Sequence, residues 1–426
     1  MKVLVVSHGH PDFSPGGAER AAYSLFQMLK QEPGVDATFL ARVDPASIGH
    51  DGWFGSFRGR PDECLWSPPW IDWFRMTSLR ADLLRQQVQT ICNKFQPDIV
   101  HLHHYFHFGL EVFGFFKQFS NAKVVLTLHE YGLICAHNGQ MVKRGTMRLC
   151  YASSSAECAT CFPEHTSGKF FLRERLAKHS LEPVDAFVSP SKFLKDRYVQ
   201  WGVAPSNITV IENLLPPNFG ANHNGEGEVT PKKSGEKVRF GYFGQINPFK
   251  GANVLLDAVQ LLSKDTQEKF ELVIFGARLE EQSMEFQAKV QEGLNTSARL
   301  VSLFGPYRND DVSYLMKSID WMIIPSIWWE NSPVVIQEAK STRRPILASN
   351  IGGMLEKVRD GIDGLHFLAG SALDLASKIE MIIKGDASVE LVSNHENLEP
   401  NMALQEHLAL YDCLRPRGSD PLSLLV

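Results

Sequence analysis

The chain has 426 residues, too many for one ordinary hydrophobic core, so two domains are expected. Hydrophobic residues make up 44% and charged residues 21%, a globular balance that excludes disordered and fibrous classes. With 43 Lys and Arg against 48 Asp and Glu the formal charge is −5, so the molecule as a whole is not a polyanion binder and no nucleic-acid partner is expected; only local basic patches remain.

The opening Met1-Lys2-Val3-Leu4-Val5-Val6-Ser7 has too short an apolar run for a signal peptide, and no stretch approaches the roughly 18 apolar residues of a membrane span. Seven cysteines, an odd number without a regular framework, favour a reducing compartment. A cytoplasmic protein is the expectation. Short runs rich in β-branched residues predict strands at 2–7, 37–41, 98–102, 123–129, 186–189 and 208–212, then at 238–243, 270–275, 299–304, 320–325 and 345–348. Helical patterns alternate with them, as in βα units around parallel sheets. The predicted division is an N-terminal domain at 1–216, an exposed Gly-, Asn- and Lys-rich connection at 217–237, and a C-terminal domain at 238–394. A helix at 400–414 within the segment 395–426 follows, with a frayed tail.

The first strand leads into His10-Pro11-Asp12-Phe13-Ser14-Pro15-Gly16-Gly17-Ala18-Glu19 and then a helix with Ala21, Ala22, Leu25, Met28 and Leu29 on one face. Paired glycines at a helix entrance allow close backbone approach and leave N–H donors for a phosphate, although a plain strand-to-helix turn needs the same residues. Next, Trp53, Trp66, Trp70 and Trp73 cluster with Phe54, Phe57 and Phe74, interrupted by Arg58, Arg60 and Arg75. Aromatic faces stack on sugars or sit at a membrane surface, so this segment is a candidate acceptor loop or a peripheral contact at the inner membrane face; packing under a long loop is the alternative.

Thr127-Leu128-His129-Glu130-Tyr131 closes a strand, with His101, His103, His104 and His107 nearby as core or cleft-wall residues. Cys135, Cys150, Cys158 and Cys161 follow in one long segment. They are candidate ligands of a structural zinc, with reduced buried thiols as the alternative, and four protein ligands would leave no position open to substrate.

In the second half, Phe243-Gly244-Gln245-Ile246-Asn247-Pro248-Phe249-Lys250-Gly251 again lies between a strand and a helix. Lys250 supplies a point charge for a phosphate and Gly251 a tight turn. Glu330-Asn331-Ser332-Pro333-Val334-Val335-Ile336-Gln337-Glu338 places two carboxylates across a helix start, with Ser332 as N-cap and Pro333 in the first helical position. Carboxylates hold vicinal hydroxyls, and the helix-start N–H groups between them hold anions. A surface helix with two solvated Glu residues is the competing reading.

The ordered combination of Gly16-Gly17, His129, Lys250, Glu330 and Glu338 resembles the retaining nucleotide-sugar glycosyltransferases of family 4, also called glycosyl transferases group 1, over most of residues 1–366. The resemblance implies a GT-B fold: α/β, with two Rossmann-like doubly wound parallel-sheet domains facing a central cleft, and a C-terminal helix returning to the first. It implies a hexosyl transfer from a nucleoside diphosphate sugar to a hydroxyl of a glycan, lipid-linked or small acceptor, with no cofactor required for catalysis and the departing diphosphate acting as base. His129, Lys250 and Glu330 would be catalytic. Gly16, Gly17, Gln245, Ser332, Pro333, Val334 and Glu338 would bind donor, Glu338 through the ribose. Gln245 departs from the usual arginine and removes a permanent cation. A catalytically silent carbohydrate-binding scaffold is the alternative that this departure raises, whereas a nicotinamide oxidoreductase needs a Gly-x-Gly-x-x-Gly turn that Gly9 to Gly17 does not supply.

Overall fold

In the computed structural model residues 1–14, 16–48, 52–217, 219, 237–387, 389 and 400–415 are described. The chain divides into two units, Met1–Pro217 with Glu399–Val426, and Asn218–Leu398. Most of the expected connection at 217–237, and most of the tail beyond the last helix, lie outside the described residues.

The first unit is built on strands β1 (Lys2–Ser7), β2 (Asp36–Arg42), β3 (Phe54–Phe57), β4 (Arg60–Trp66), β5 (Ile71–Asp72), β6 (Thr77–Ser78), β7 (Ile99–Leu102), β8 (Lys123–Thr127), β9 (Ala186–Ser189) and β10 (Ile208–Val210). Helices α1 (Gly17–Gln31), α2 (Ala81–Phe95), α3 (Glu111–Phe119), α4 (Ser155–Cys161), α5 (Ser167–Ser180) and α6 (Lys192–Trp201) connect them. The main sheet runs β10-β9-β8-β7-β1-β2-β4-β3, parallel except for the antiparallel β3–β4 hairpin at its edge. Strands buried on both faces carry near-continuous apolar runs, as Val3 to Val6 do. The strand order departs in opposite directions from the β1–β7 pair, which is where such sheets open a crevice at their carboxyl ends.

The hairpin β3–β4 is absent from the sequence-based expectation because its aromatic residues alternate with Arg, Gly and Ser and mimic a loop. Pairing of Leu40 with Cys64 and of Ala41 with Leu65 nevertheless attaches it to β2.

Strands β11 (Val238–Gln245), β12 (Phe270–Ala277), β13 (Val301–Leu303), β14 (Trp321–Ile324), β15 (Ile346–Ser349) and β16 (Gly364–Phe367) form the second unit's parallel sheet, in the order β13-β12-β11-β14-β15-β16. Its helices are α7 (Ala252–Gln260), α8 (Lys264–Glu268), α9 (Met284–Thr296), α10 (Val312–Lys317), α11 (Val334–Ser341), α12 (Gly353–Lys357) and α13 (Ala372–Lys384). Two buried clusters cover the two faces, one around Phe240, Leu272 and Ile379 and the other around Phe243, Ile324 and Met354. The short β16 is unannounced by sequence. Its Gly364 lies against Ile346, where a Cβ would overlap the Ile346 carbonyl. The switch point of this sheet is β11–β14.

The last helix, α14 (Pro400–Leu414), packs in the first unit: Leu404 and Tyr411 share a buried cluster with Val3, Leu25 and Leu29. The Tyr411 hydroxyl meets His101 Nδ1 at 2.6 Å on β7.

Candidate functional site

The second unit brings three of the sequence candidates, Gln245, Lys250 and Glu330, to its switch point. β11 ends at Gly244, with φ 142°, and an exposed Gln245. Beyond it Asn247 Oδ1 accepts the N–H groups of Phe249 and Lys250, each at 3.0 Å, and this closes the turn. Gly251 follows at φ 72°, so close to β14 that a Cβ would overlap the Pro325 carbonyl. The loop after β11 is therefore pressed onto the end of β14. Lys250 Nζ stands 2.6 Å from Glu330 Oε1.

That oxygen also accepts the Ser326 hydroxyl and the Trp328 indole N–H, each at 2.8 Å. The Lys250 ammonium lies 5.6 Å from the Trp328 ring centroid as a cation–π contact. The Glu330 side chain is only 5% exposed and that of Lys250 30%, so the carboxylate is held from within while the ammonium reaches solvent.

Behind Glu330, Gly353 N–H donates to the Glu330 carbonyl at 2.6 Å, and Gly352 at φ 60° permits that approach. Side chains at Gly352 or Gly353 would strike the backbone of Glu330 and Asn331. This contact corrects the expected helix start. Pro333 is the N-cap, extended at φ −61° and ψ 120°, and Val334 is the first helical residue, one position later than Ser332 as cap requires. The loop from Glu330 to Pro333, bent at Asn331 and held by the glycine pair, displaces the cap. Ser332 is buried beside the helix start instead. Glu338 is buried in the second turn of α11, so a solvated surface helix does not describe this segment.

In the first unit Gly16 is the N-cap of α1 and Gly17 its first residue. Gly16 has ordinary extended dihedrals; what a side chain there would meet is the carboxylate of Glu19, which folds back over it. Glu19 Oε1 accepts the Ser14 hydroxyl at 2.7 Å and lies 3.3 Å from His8 Nε2. Glu19 thus holds the loop at the carboxyl end of β1.

His129 follows β8, half-buried, with its Nε2 at 3.1 Å from His103 Nδ1. Burial, with the nearby His8, pushes its pKa down to about 3, so it is a neutral imidazole near pH 7. Burial likewise depresses His101, His103 and His104, and holds His107 at about 4. Sequence reasoning passed over Glu130. Burial pushes its carboxyl up to about 7, opposed by the Tyr105 hydroxyl at 2.5 Å, the Gly132 N–H and Arg173. The presence of an ionisable group one residue from His129 was the available signal; its burial was not readable.

The aromatic segment separates into two parts. Trp66 is fully buried, stacked on Phe108 with centroids 4.9 Å apart and hydrogen-bonded to Gln87. Trp70 and Trp73 are 65% and 52% exposed. The four cysteines line one cavity and form no disulfide; burial pushes the Cys135 thiol up to about 11. Among the described residues no helix is long and apolar enough to cross a membrane.

Residues 228–398 match the family model of glycosyl transferases group 1, and residues 15–219 that of Glycosyltransferase Family 4. A D-inositol 3-phosphate glycosyltransferase of Corynebacterium aurimucosum is 27% identical over 34% of this chain and 34% of its own. A lipopolysaccharide 1,2-N-acetylglucosaminetransferase of Salmonella typhimurium is 31% identical over 42% of this chain and 48% of its own. These alignments thus span less than half of each relative. Anabaena HepE, solved in complex with UDP and glucose, superposes with a TM-score of 0.66 over 97% of this chain and 100% of that one, at 18% identity, a likeness of fold. With the two family models running in succession through both units, the chain belongs to the family 4-like glycosyltransferases of GT-B fold.

Proposed function

We propose that the protein transfers a hexosyl group from a nucleoside diphosphate sugar to a hydroxyl of a glycan, a lipid-linked or a small acceptor, with retention of anomeric configuration and without a catalytic metal. The observation that carries the reading is the Lys250–Glu330 pair at the β11–β14 switch point, where an α/β sheet takes its ligand. Lys250 and the segment Ser332 to Val334 that leads into α11 supply positive potential for a diphosphate, and Gln245 supplies an amide donor from an exposed strand end. Glu330, held in place by Lys250, Ser326 and Trp328, accepts sugar hydroxyls; Glu338, four residues into α11, takes the ribose.

His129, neutral in its surroundings, donates or accepts a hydrogen bond to the sugar near the reacting carbon without adding charge. The diphosphate leaves as the acceptor hydroxyl attacks the same face, and a leaving-group oxygen takes the hydroxyl proton. Electrostatic support of that anion is the largest contribution asked of the protein.

A catalytically silent carbohydrate binder is the weaker reading, because Lys250 and Glu330 are both present and oriented. Thermal unfolding against a panel of nucleotide sugars is the direct test: a donor at a hundred times its dissociation constant should add about 2.7 kcal/mol. A panel in which no nucleotide sugar stabilises the protein, or in which the stabilising one is never turned over, refutes the proposal.

A further inference from the structure

The segment joining β8 to α5 contains Cys135, Cys150, Cys158 and Cys161, and all four line a single cavity of about 570 Å³. Separate local devices bring them there. Cys135 sits in a turn closed by its own N–H on the Tyr131 carbonyl at 2.7 Å, after which the chain reverses through Asn138, Gly139 and Met141 at φ 49°, 69° and 47°. An antiparallel bridge between Val142 and Leu149 closes a hairpin, and Cys150 N–H bonds the Met141 carbonyl at 2.7 Å. Cys158 and Cys161, three residues apart, share one side of α4, whose Ser154 cap accepts the Glu157 N–H at 3.2 Å.

The surroundings of the sulfurs supply an independent observation. Backbone N–H groups of His137 and Met141 hydrogen-bond Cys135, that of Arg144 reaches Cys161 Sγ at 3.2 Å, and the Ser154 backbone bonds Cys158. These contacts fix where the sulfurs of Cys135, Cys158 and Cys161 sit. Lys143 acts electrostatically on Cys150 and Cys161, and the buried Arg173 on Cys135 and Cys158. Four thiols, donors to three of them and two cations converge where no disulfide forms.

We propose that Cys135, Cys150, Cys158 and Cys161 bind one zinc ion in an all-sulfur tetrahedral site that fixes the segment following His129. Zinc enters as the divalent cation and the thiol protons leave to solvent. The resulting cluster, four thiolates on one Zn²⁺, carries two negative charges, which Arg173 and, in part, Lys143, itself paired with Glu157 at 2.8 Å, offset. No position is left for substrate, so the role is structural. Among the described residues no three ligating side chains already stand at coordination spacing. Binding therefore requires the four side chains to draw together within the cavity that they line.

The test uses the full chain, purified in reducing buffer without added metal or chelator. Elemental analysis should find about one zinc per chain, falling at least tenfold in Cys158→Ser and in Cys161→Ser and unchanged in Cys413→Ser, whose thiol is exposed on α14. Should the site variants not fold, titration of the wild type with an organomercurial in the presence of a chromogenic chelator serves instead. Zinc should appear only as thiols are consumed. Wild-type protein with reduced thiols and less than about 0.1 zinc per chain, iron in place of zinc, zinc retained in both site variants, or zinc release independent of thiol modification would each overturn the proposal.

Discussion

Lys250→Ala and Glu330→Gln strike the same ion pair from opposite sides, and the structure makes their costs unequal. Removing Lys250 leaves a carboxylate that is 5% exposed with, among the described residues, the Ser326 hydroxyl and Trp328 indole as its side-chain donors. Breaking a fully buried pair costs about 3–5 kcal/mol. The Lys250 side chain is 30% exposed, so water screens part of the interaction and about 2–3 kcal/mol is expected. Glu330→Gln keeps an amide oxygen for Ser326 and Trp328, and the orphaned ammonium rehydrates, at about 1 kcal/mol. The double variant should then be more stable than the sum of the two losses allows, with a coupling of about 1–2 kcal/mol.

Urea unfolding followed by tryptophan emission reads this directly, since Trp328 touches both partners. Turnover measured on the same proteins should fall about 100-fold or more in each single variant, the scale of losing one positioned charge contact. Equal destabilisation by the two substitutions with an additive double variant would show that the pair does not form in solution. Wild-type turnover in both would detach it from catalysis.

Gln245→Arg adds a forked permanent cation at an exposed strand end five residues before Lys250, so nucleoside diphosphate affinity by calorimetry should rise; no change would place Gln245 outside the diphosphate site. Gly251→Ala forces φ 72° on a residue with a Cβ and drives that carbon into the Pro325 carbonyl. A loss of at least about 1–2 kcal/mol, with a rise in donor KM, is expected by denaturation and kinetics, and a neutral result would deny the close packing of this loop. The clustered histidines of the first unit have folded pKa values below the ordinary 6.5, to about 3 for His129 and about 4 for His107 and His407. The unfolded chain therefore binds more protons below pH 6.5, and stability present above that value is lost as pH falls toward 4 or 3, at roughly 1.4 kcal/mol per pH unit for each proton taken up. Glu130, raised to about 7, runs the other way, contributing stability below about 4.5 that is lost by pH 7, and one carboxyl does not cancel several imidazoles. Chemical denaturation at pH 7.5, 6 and 5 should show a steep decline on the acid side, and a flat profile would mean the histidines are hydrated.

The βα alternation was legible because parallel strands buried on both faces leave apolar runs that a reader can mark, as Val3 to Val6 and Met322 to Ile324 do. The edge was not. Arg60 to Trp66 pairs with β2 through its backbone while its side chains alternate in chemistry, and Gly364 to Phe367 is four residues long with half its apolar content missing. Tertiary pairing, not local preference, decides such strands. The helix start at Ser332 was misplaced for a related reason: cap preference is local, and the backbone there answers to Gly352 and Gly353 about twenty residues further on.

The site depends on the same distinction between what is local and what the sheet order decides. Each of Lys250 and Glu330 was recognisable alone, as a polar residue just beyond an apolar strand, yet eighty residues separate them and no periodicity says that they meet. They meet because β11 and β14 are neighbours while β12 and β13 lie on the far side, so the two loops open into one crevice. A different order of the same strands would have left a half-buried lysine and a buried, unneutralised carboxylate apart, an arrangement costing several kcal/mol per ion. The pair is therefore a consequence of the doubly wound topology as much as of the two residues. It also explains why the flanking glycines are tight: Gly251 and Gly353 bring backbone against backbone on both sides of Glu330, and the carboxylate keeps its position through those contacts before any ligand arrives.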